Sequence, residues 1–235
     1  MAALPCRPCN ILTSLEPSAE TPIVNQKNTA TAPAALMLMG THCPYCPGVL
    51  KALQSLLASG HISQLETHNI EENPEVAREL GIRSVPWVRI GSFELEGLRS
   101  EKELREWAVK AAADSGSTDW LNELLASGNI SKPLERIKSD PAMMDALLDL
   151  FANPDTQMNT HIGISAIMEE LQGSANLTAI VDRLGELTRH EDARVRGDAC
   201  YYLALSGSPQ ASRYIKPLLD DTDASVREIA QESLE

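Results

Sequence analysis

Ala34-Ala35-Leu36-Met37-Leu38-Met39-Gly40-Thr41-His42-Cys43-Pro44-Tyr45-Cys46-Pro47 sets two cysteines three residues apart directly after an apolar run. A short apolar run ended by a turn predicts a strand over 36–39 that is buried on both faces. Pro47 then suits the first turn of a helix over 47–59, where the ring has no N–H to leave unpaired. Val49, Leu50, Leu53, Leu56 and Leu57 fall on one side of that helix, and Gly60 closes it. A second fragment, Ser84-Val85-Pro86-Trp87, begins another apolar segment, with Pro86 forty residues beyond Cys46.

Between and beyond these fragments the chain alternates. Residues 62–70 read as a strand that ends in the turn Glu71-Glu72-Asn73-Pro74. A short helix follows from Pro74 to Leu80, stopped by Gly81. Residues 85–90 and 92–96 read as a hairpin about Gly91. Ser100, with Glu103 three residues on, is a capping-box pattern that opens a last helix with Leu104, Trp107, Ala108 and Ala111 facing inward. Residues 114–119 are polar and small and read as a linker. No strand pattern follows it. Apolar residues recur at helical spacing from Trp120 onward, and one pattern repeats at an offset of 31: Asp192-Ala193-Arg194-Val195-Arg196 with Ala199 and Leu203 returns as Asp223-Ala224-Ser225-Val226-Arg227 with Ala230 and Leu234. Asp192 and Asp223 suit helix caps, and residues 153–171 would serve as a degenerate earlier copy. The helix after Asp223 is expected to cap the stack.

These features carry two resemblances. The order strand, helix, strand, helix, strand, strand, helix, the Cys-Pro-Tyr-Cys run, and the stretch from Asn73 through Gly81-Ile82-Arg83-Ser84-Val85-Pro86 resemble the thioredoxin superfamily over about residues 34–112. The Asp-x-x-Val-Arg-x-x-Ala-x-x-x-Leu pattern resembles HEAT-type repeats, which stack helix pairs into a solenoid. The expected organisation is an extension over 1–33 with an edge strand near Ile23-Val24, an α/β thioredoxin-like domain over 34–113, a linker over 114–119, and an all-α HEAT-like domain over 120–235. The first resemblance implies that Pro86 follows a cis bond and faces the cysteine pair. It also implies that the backbone of Val85 pairs with an extended substrate segment. Trp87 fits either the groove or the core.

Cys43 is the candidate nucleophile, because unpaired N–H groups at a helix start favour its thiolate and a protonated His42 beside it would add to this. Cys46 is the candidate resolving thiol, which attacks the mixed disulfide that Cys43 forms. Pro44 and Tyr45 set the geometry between them, and Tyr45 is a candidate substrate contact. The sequence departs from the family in three ways. His42 stands where thioredoxins usually have tryptophan. The strand over 36–39 has no acidic residue to accept the resolving proton. The Cys-Pro-Tyr-Cys run is glutaredoxin-like, yet no lysine or arginine stands just before Cys43 and Glu94-Leu95-Glu96-Gly97 replaces a glutathione-binding run. The chemistry of a Cys-x-x-Cys pair also fits half a zinc site or a packed pair. Cys6 and Cys9 form a second such pair, read as a relay to Cys43–Cys46, as half of a four-thiolate zinc site, or as incidental. Cys200 reads as core. The other histidines show no ligand spacing, so neither a metal nor a cofactor is assigned.

Charge narrows the classes further. The net charge is −13, and it is uneven: residues 1–113 hold 10 Lys/Arg against 12 Asp/Glu, whereas residues 114–235 hold 10 against 21. That balance disfavours nucleic acid, which needs a basic face. Met1 to Cys9 lacks a long apolar core, so no signal peptide is expected, and no run approaches the ~18 apolar residues of a membrane span. The expected location is cytoplasmic, where a close cysteine pair is more often catalytic than structural. The leading expectation is a thiol–disulfide oxidoreductase that takes a protein disulfide and an electron-donating reductase as partners, with the helical part binding protein. A redox-sensing interaction scaffold and a metal or iron–sulfur carrier are the rivals.

Overall fold

The computed structural model describes residues Ala32–Glu235, which form a single unit. Cys6, Cys9 and the strand expected near Ile23 lie outside the described residues. Four strands, β1 (Ala34–Met39), β2 (Gln64–Asn69), β3 (Trp87–Ile90) and β4 (Phe93–Glu96), make one mixed sheet in the order β2-β1-β3-β4. β1 pairs parallel with β2, Leu36 opposite Glu66, and antiparallel with β3, Leu38 opposite Trp87. β3 and β4 form the expected hairpin. The strands alternate with α1 (Cys46–Ala58) and α2 (Pro74–Glu79), and α3 (Glu101–Ala112) closes the sequence.

β1 is apolar throughout because both faces of the sheet are covered. Ala35 and Met37 join Val88, Ile90, Phe93 and Leu95 under α1, which supplies Val49, Leu53 and Leu56, and α3, which supplies Leu104, Trp107 and Ala108. Leu36 and Leu38 turn to the other face and pack with Trp87 against Val76, Ala77 and Leu80 of the α2 region. Several element ends differ from expectation by one or two residues, and two of these bear on the core and the site. β2 begins at Gln64 rather than Ile62, because Ile62 turns into the core after α1 and is 1 % exposed. Val85 and Pro86 precede β3 instead of lying in it.

The start of α3 is a complete capping box. Ser100 Oγ accepts from the Glu103 N–H at 3.3 Å, and the Glu103 carboxylate accepts from the Ser100 N–H at 2.8 Å. The Ser100 hydroxyl and N–H hold the Glu103 carboxyl below its ordinary pKa. Ser100→Ala is expected to cost about 1 kcal/mol of stability, measurable as a lowered urea midpoint. An unchanged midpoint would show that the box contributes nothing.

After residues 113–116 the chain is helical, and Ser117, within the stretch expected as a linker, already begins α4 (Ser117–Ala126). Then come α5 (Ser131–Ser139), α6 (Met143–Ala152), α7 (Met158–Glu170), α8 (Ala175–Ala179), α9 (Val181–Leu187), α10 (Ala193–Leu205), α11 (Ser212–Ile215), a 3-10 turn over Lys216–Asp220, and α12 (Ala224–Glu232). α4, α7, α10 and α12 pack in a row, with α6, α9 and the 3-10 turn against them. Close approach is bought by small residues. A methyl on Gly185 of α9 would lie 2.5 Å from the Tyr214 ring, so only glycine lets these segments meet.

The repeated motif has the same construction in both copies. Asp192 Oδ1 accepts from Arg194 N–H at 2.8 Å, and Asp223 Oδ1 accepts from Ser225 N–H at 2.9 Å. Arg196 donates back to the carbonyls of His190 and Glu191, and Arg227 donates back to those of Asp221 and Thr222, five and six residues upstream each time. The arginine thus ties each helix start to the turn before it. Cys200 is fully buried between α10 and α12, and burial raises its thiol pKa.

The two parts share a continuous apolar core. Trp120 of α4 donates its indole N–H to the Glu94 carbonyl at 3.0 Å, and Lys132 of α5 reaches Glu94 at 3.0 Å and Glu96 at 2.8 Å. Burial alone would lower the Lys132 ammonium's pKa, but the two carboxylates outweigh it and raise it. Arg99 pairs with Glu123 across the same seam. Among the described residues no helix is long and apolar enough to cross a membrane.

Candidate functional site

The loop between β1 and α1 carries the cysteines to the end of the sheet where β3 starts. Cys43 and Cys46 are joined as a disulfide, with their Cα atoms 5.5 Å apart, inside the span such a bond can bridge. The two sulfurs are not equivalent. Cys46 is the first residue of α1 and is fully buried, whereas Cys43 lies before the helix and is half-buried. Cys43 is therefore outside the helix, not at its first position. Its sulfur still receives the helix's free end, because the Cys46 N–H points at Cys43 Sγ at 3.1 Å. In the reduced protein a donor so placed would favour a thiolate at Cys43, while Cys46 has no access to solvent.

His42, Pro44 and Tyr45 are exposed around this bond, Tyr45 to 56 %. The Val85–Pro86 peptide is cis, Pro86 is buried, and Val85 is half-buried. A methyl built on Gly40 would lie 3.3 Å from Val85 Cγ2 and 3.8 Å from Cys43 Cβ, so the Val85 side chain and Cys43 flank one glycine. Among the described residues the N–H and C=O of Val85 make no hydrogen bond. The Val85 backbone groups are thus left unpaired beside the Cys43–Cys46 bond, the kind of free main-chain edge that strand addition uses. Trp87 resolves to the core: it is fully buried on the second face of the sheet, its ring lies 5.8 Å from Lys132 Nζ, and its indole N–H has no partner among the described residues.

One set of residues was not anticipated. Glu71, in the turn after β2, accepts from the Thr41 N–H at 2.6 Å and from the Thr41 hydroxyl, and Asn69 Nδ2 donates to that hydroxyl's oxygen at 2.9 Å. The same methyl on Gly40 would sit 3.2 Å from Glu71 Oε1, a tight approach that the missing side chain relieves. The Thr41 hydroxyl first, then its N–H, hold the Glu71 carboxyl below its ordinary pKa, with His42 adding to this. A charged turn such as Glu71-Glu72-Asn73-Pro74 reads as solvated in sequence, and nothing local marks one carboxylate as the anchor of a loop 30 residues away. A fixed negative charge near Cys43 opposes its thiolate. Glu71→Gln, which keeps the shape, is expected to speed alkylation of reduced Cys43 by iodoacetamide at neutral pH by about two- to fivefold. Slower or unchanged alkylation would remove Glu71 from the electrostatics of the site.

No group of three or more potential metal ligands occurs among the described residues. Comparison with known families agrees with this architecture. Residues 35–108 match the family described as thioredoxin domain, and residues 144–235 match the family described as HEAT repeats. No curated protein is similar enough to the chain to match it. The chain thus joins a thioredoxin-like domain with a disulfide-bonded Cys-x-x-Cys pair to a stack of HEAT repeats.

Proposed function

We propose that this protein is a thiol–disulfide oxidoreductase acting on protein disulfides. The observation that carries this is the asymmetry of the bonded pair: a half-buried Cys43 sulfur facing a helix N–H, and a fully buried Cys46 behind it. In the reduced enzyme the Cys43 thiolate attacks one sulfur of a substrate disulfide and the other leaves as a thiolate. Cys46, losing its proton, then attacks Cys43, frees the second substrate thiol and forms the Cys43–Cys46 bond. Two electrons pass to the substrate, and an external dithiol reductase restores the pair. Val85 offers its backbone to the substrate chain and Pro86 shapes the rim, with Tyr45 against the substrate and His42 and Pro44 tuning Cys43. The acidic HEAT-like part favours a partner with a basic surface.

The test is to equilibrate the protein with glutathione redox buffers, count alkylated thiols by mass, and follow reduction of a protein disulfide. A two-electron transition confined to Cys43 and Cys46, with turnover lost in Cys43→Ala, is expected. A partner captured equally by wild type and Cys43→Ala, without turnover, would instead make the chain a scaffold. Stoichiometric metal bound by the purified protein would make it a carrier.

A further inference from the structure

A cavity of about 520 Å³ opens beside the residues that lead into Val85, with one wall from each half of the molecule. Arg83, Ser84 and Glu96 form the thioredoxin-side wall, and Asn129, Ser131 and Glu135, at the turn into α5 and along it, form the other. Lys132 at its base is already held by Glu94 and Glu96. Arg83 and Glu135, in contrast, are exposed and make no ion pair or hydrogen bond among the described residues. The cavity falls in the ~300–1,000 Å³ range of ligand sites, and its polar lining suits a peptide rather than an apolar ligand.

From this we infer that the cleft is an extended substrate subsite, occupied by the polypeptide segment that flanks the target cysteine. The inference rests on the disulfide-exchange reading and adds to it the source of selectivity. A chain pairing with Val85 continues past Ser84 and Arg83 into the cleft, where α5 closes over it. The helical part therefore acts on the substrate through α5, which precedes the stretch that matches HEAT repeats. The two free charges set the preference: acidic side chains of the segment are drawn to Arg83 and basic ones to Glu135.

The test uses the full chain, reduced, in single turnover with mixed disulfides of thionitrobenzoate: one on free cysteine, one on a peptide with basic flanks, and one on a peptide with acidic flanks. Attack by Cys43 expels the coloured thiolate, and Cys46 then releases the cysteine or peptide thiol. Glu135→Arg is expected to lower the rate ratio of basic peptide to free cysteine by about three- to tenfold. Arg83→Glu should do the same to the acidic peptide's ratio. Ser131→Trp, which fills the cavity with an indole, should lower both. Ratios that stay at the wild-type value in all three variants would overturn the subsite while leaving disulfide exchange intact. A wild-type protein that releases colour from none of the three compounds would overturn both.

Discussion

Reduced Cys46→Ser protein is expected to accumulate a covalent complex with its substrate through Cys43, while reduced Cys43→Ser protein forms none. The buried sulfur of Cys46 is closed to a folded substrate, and among the described residues it is bonded to Cys43. Removing it leaves the first attack intact and stops the second, and the mixed disulfide persists until an outside thiol cleaves it. Removing Cys43 eliminates the accessible sulfur, and disulfide reduction should fall by more than about a thousandfold. Non-reducing electrophoresis and mass measurement of the trapped species decide the matter. Equal trapping by the two variants would mean that the cysteines are interchangeable, and the assignment drawn from the Cys46 N–H and the difference in burial would fail.

The second large effect lies far from the cysteines. Asp221 accepts from Arg196 Nε at 2.8 Å and from Nη2 at 2.7 Å, and also from the Asp223 N–H at 2.8 Å. Both side chains are largely covered, Arg196 13 % and Asp221 8 % exposed. Asp221→Asn leaves the guanidinium under-paired in that site, and a loss of about 2–3 kcal/mol follows. For a chain of this size that lowers the thermal midpoint by roughly 4–12 °C. The Arg196 hydrogen bonds depress the Asp221 carboxyl from 3.8 to about 2. A depressed carboxyl stabilises the fold above its unfolded pKa, and that contribution disappears as pH falls from 3.8 toward about 2. The stability curves of wild type and Asp221→Asn should therefore converge across that window. Curves that stay parallel through it would mean that the ion pair contributes little.

Much of this architecture was readable locally. The unbroken apolar run at β1 announced a strand covered on both faces, because no polar position was left for solvent. Ser100 with Glu103, and Asp192 and Asp223 at an offset of 31, marked helix starts, because capping is decided within one turn. The return of Arg196 and Arg227 to upstream carbonyls was within reach of the same motif, but its partners are backbone atoms that leave no trace in residue type. Ile62 was misplaced into a strand because an apolar residue beside a strand can equally turn into the core. Trp87 could be settled only by knowing what covers the second sheet face.

By itself the sequence determined the kinds of elements, their order and the pair of sulfurs, since each is set by spacing within one helical turn or one strand. The tertiary structure alone decided that Glu71 anchors the cysteine loop, that Val85 flanks Gly40 opposite Cys43, and that Lys132 and Trp120 lock the helical part to β4. Those contacts join residues 26 to 45 positions apart, counted from the positions themselves. Many exposed carboxylates and lysines in the chain offer similar pairings, and only the packing of the apolar faces brings these particular ones within hydrogen-bonding distance.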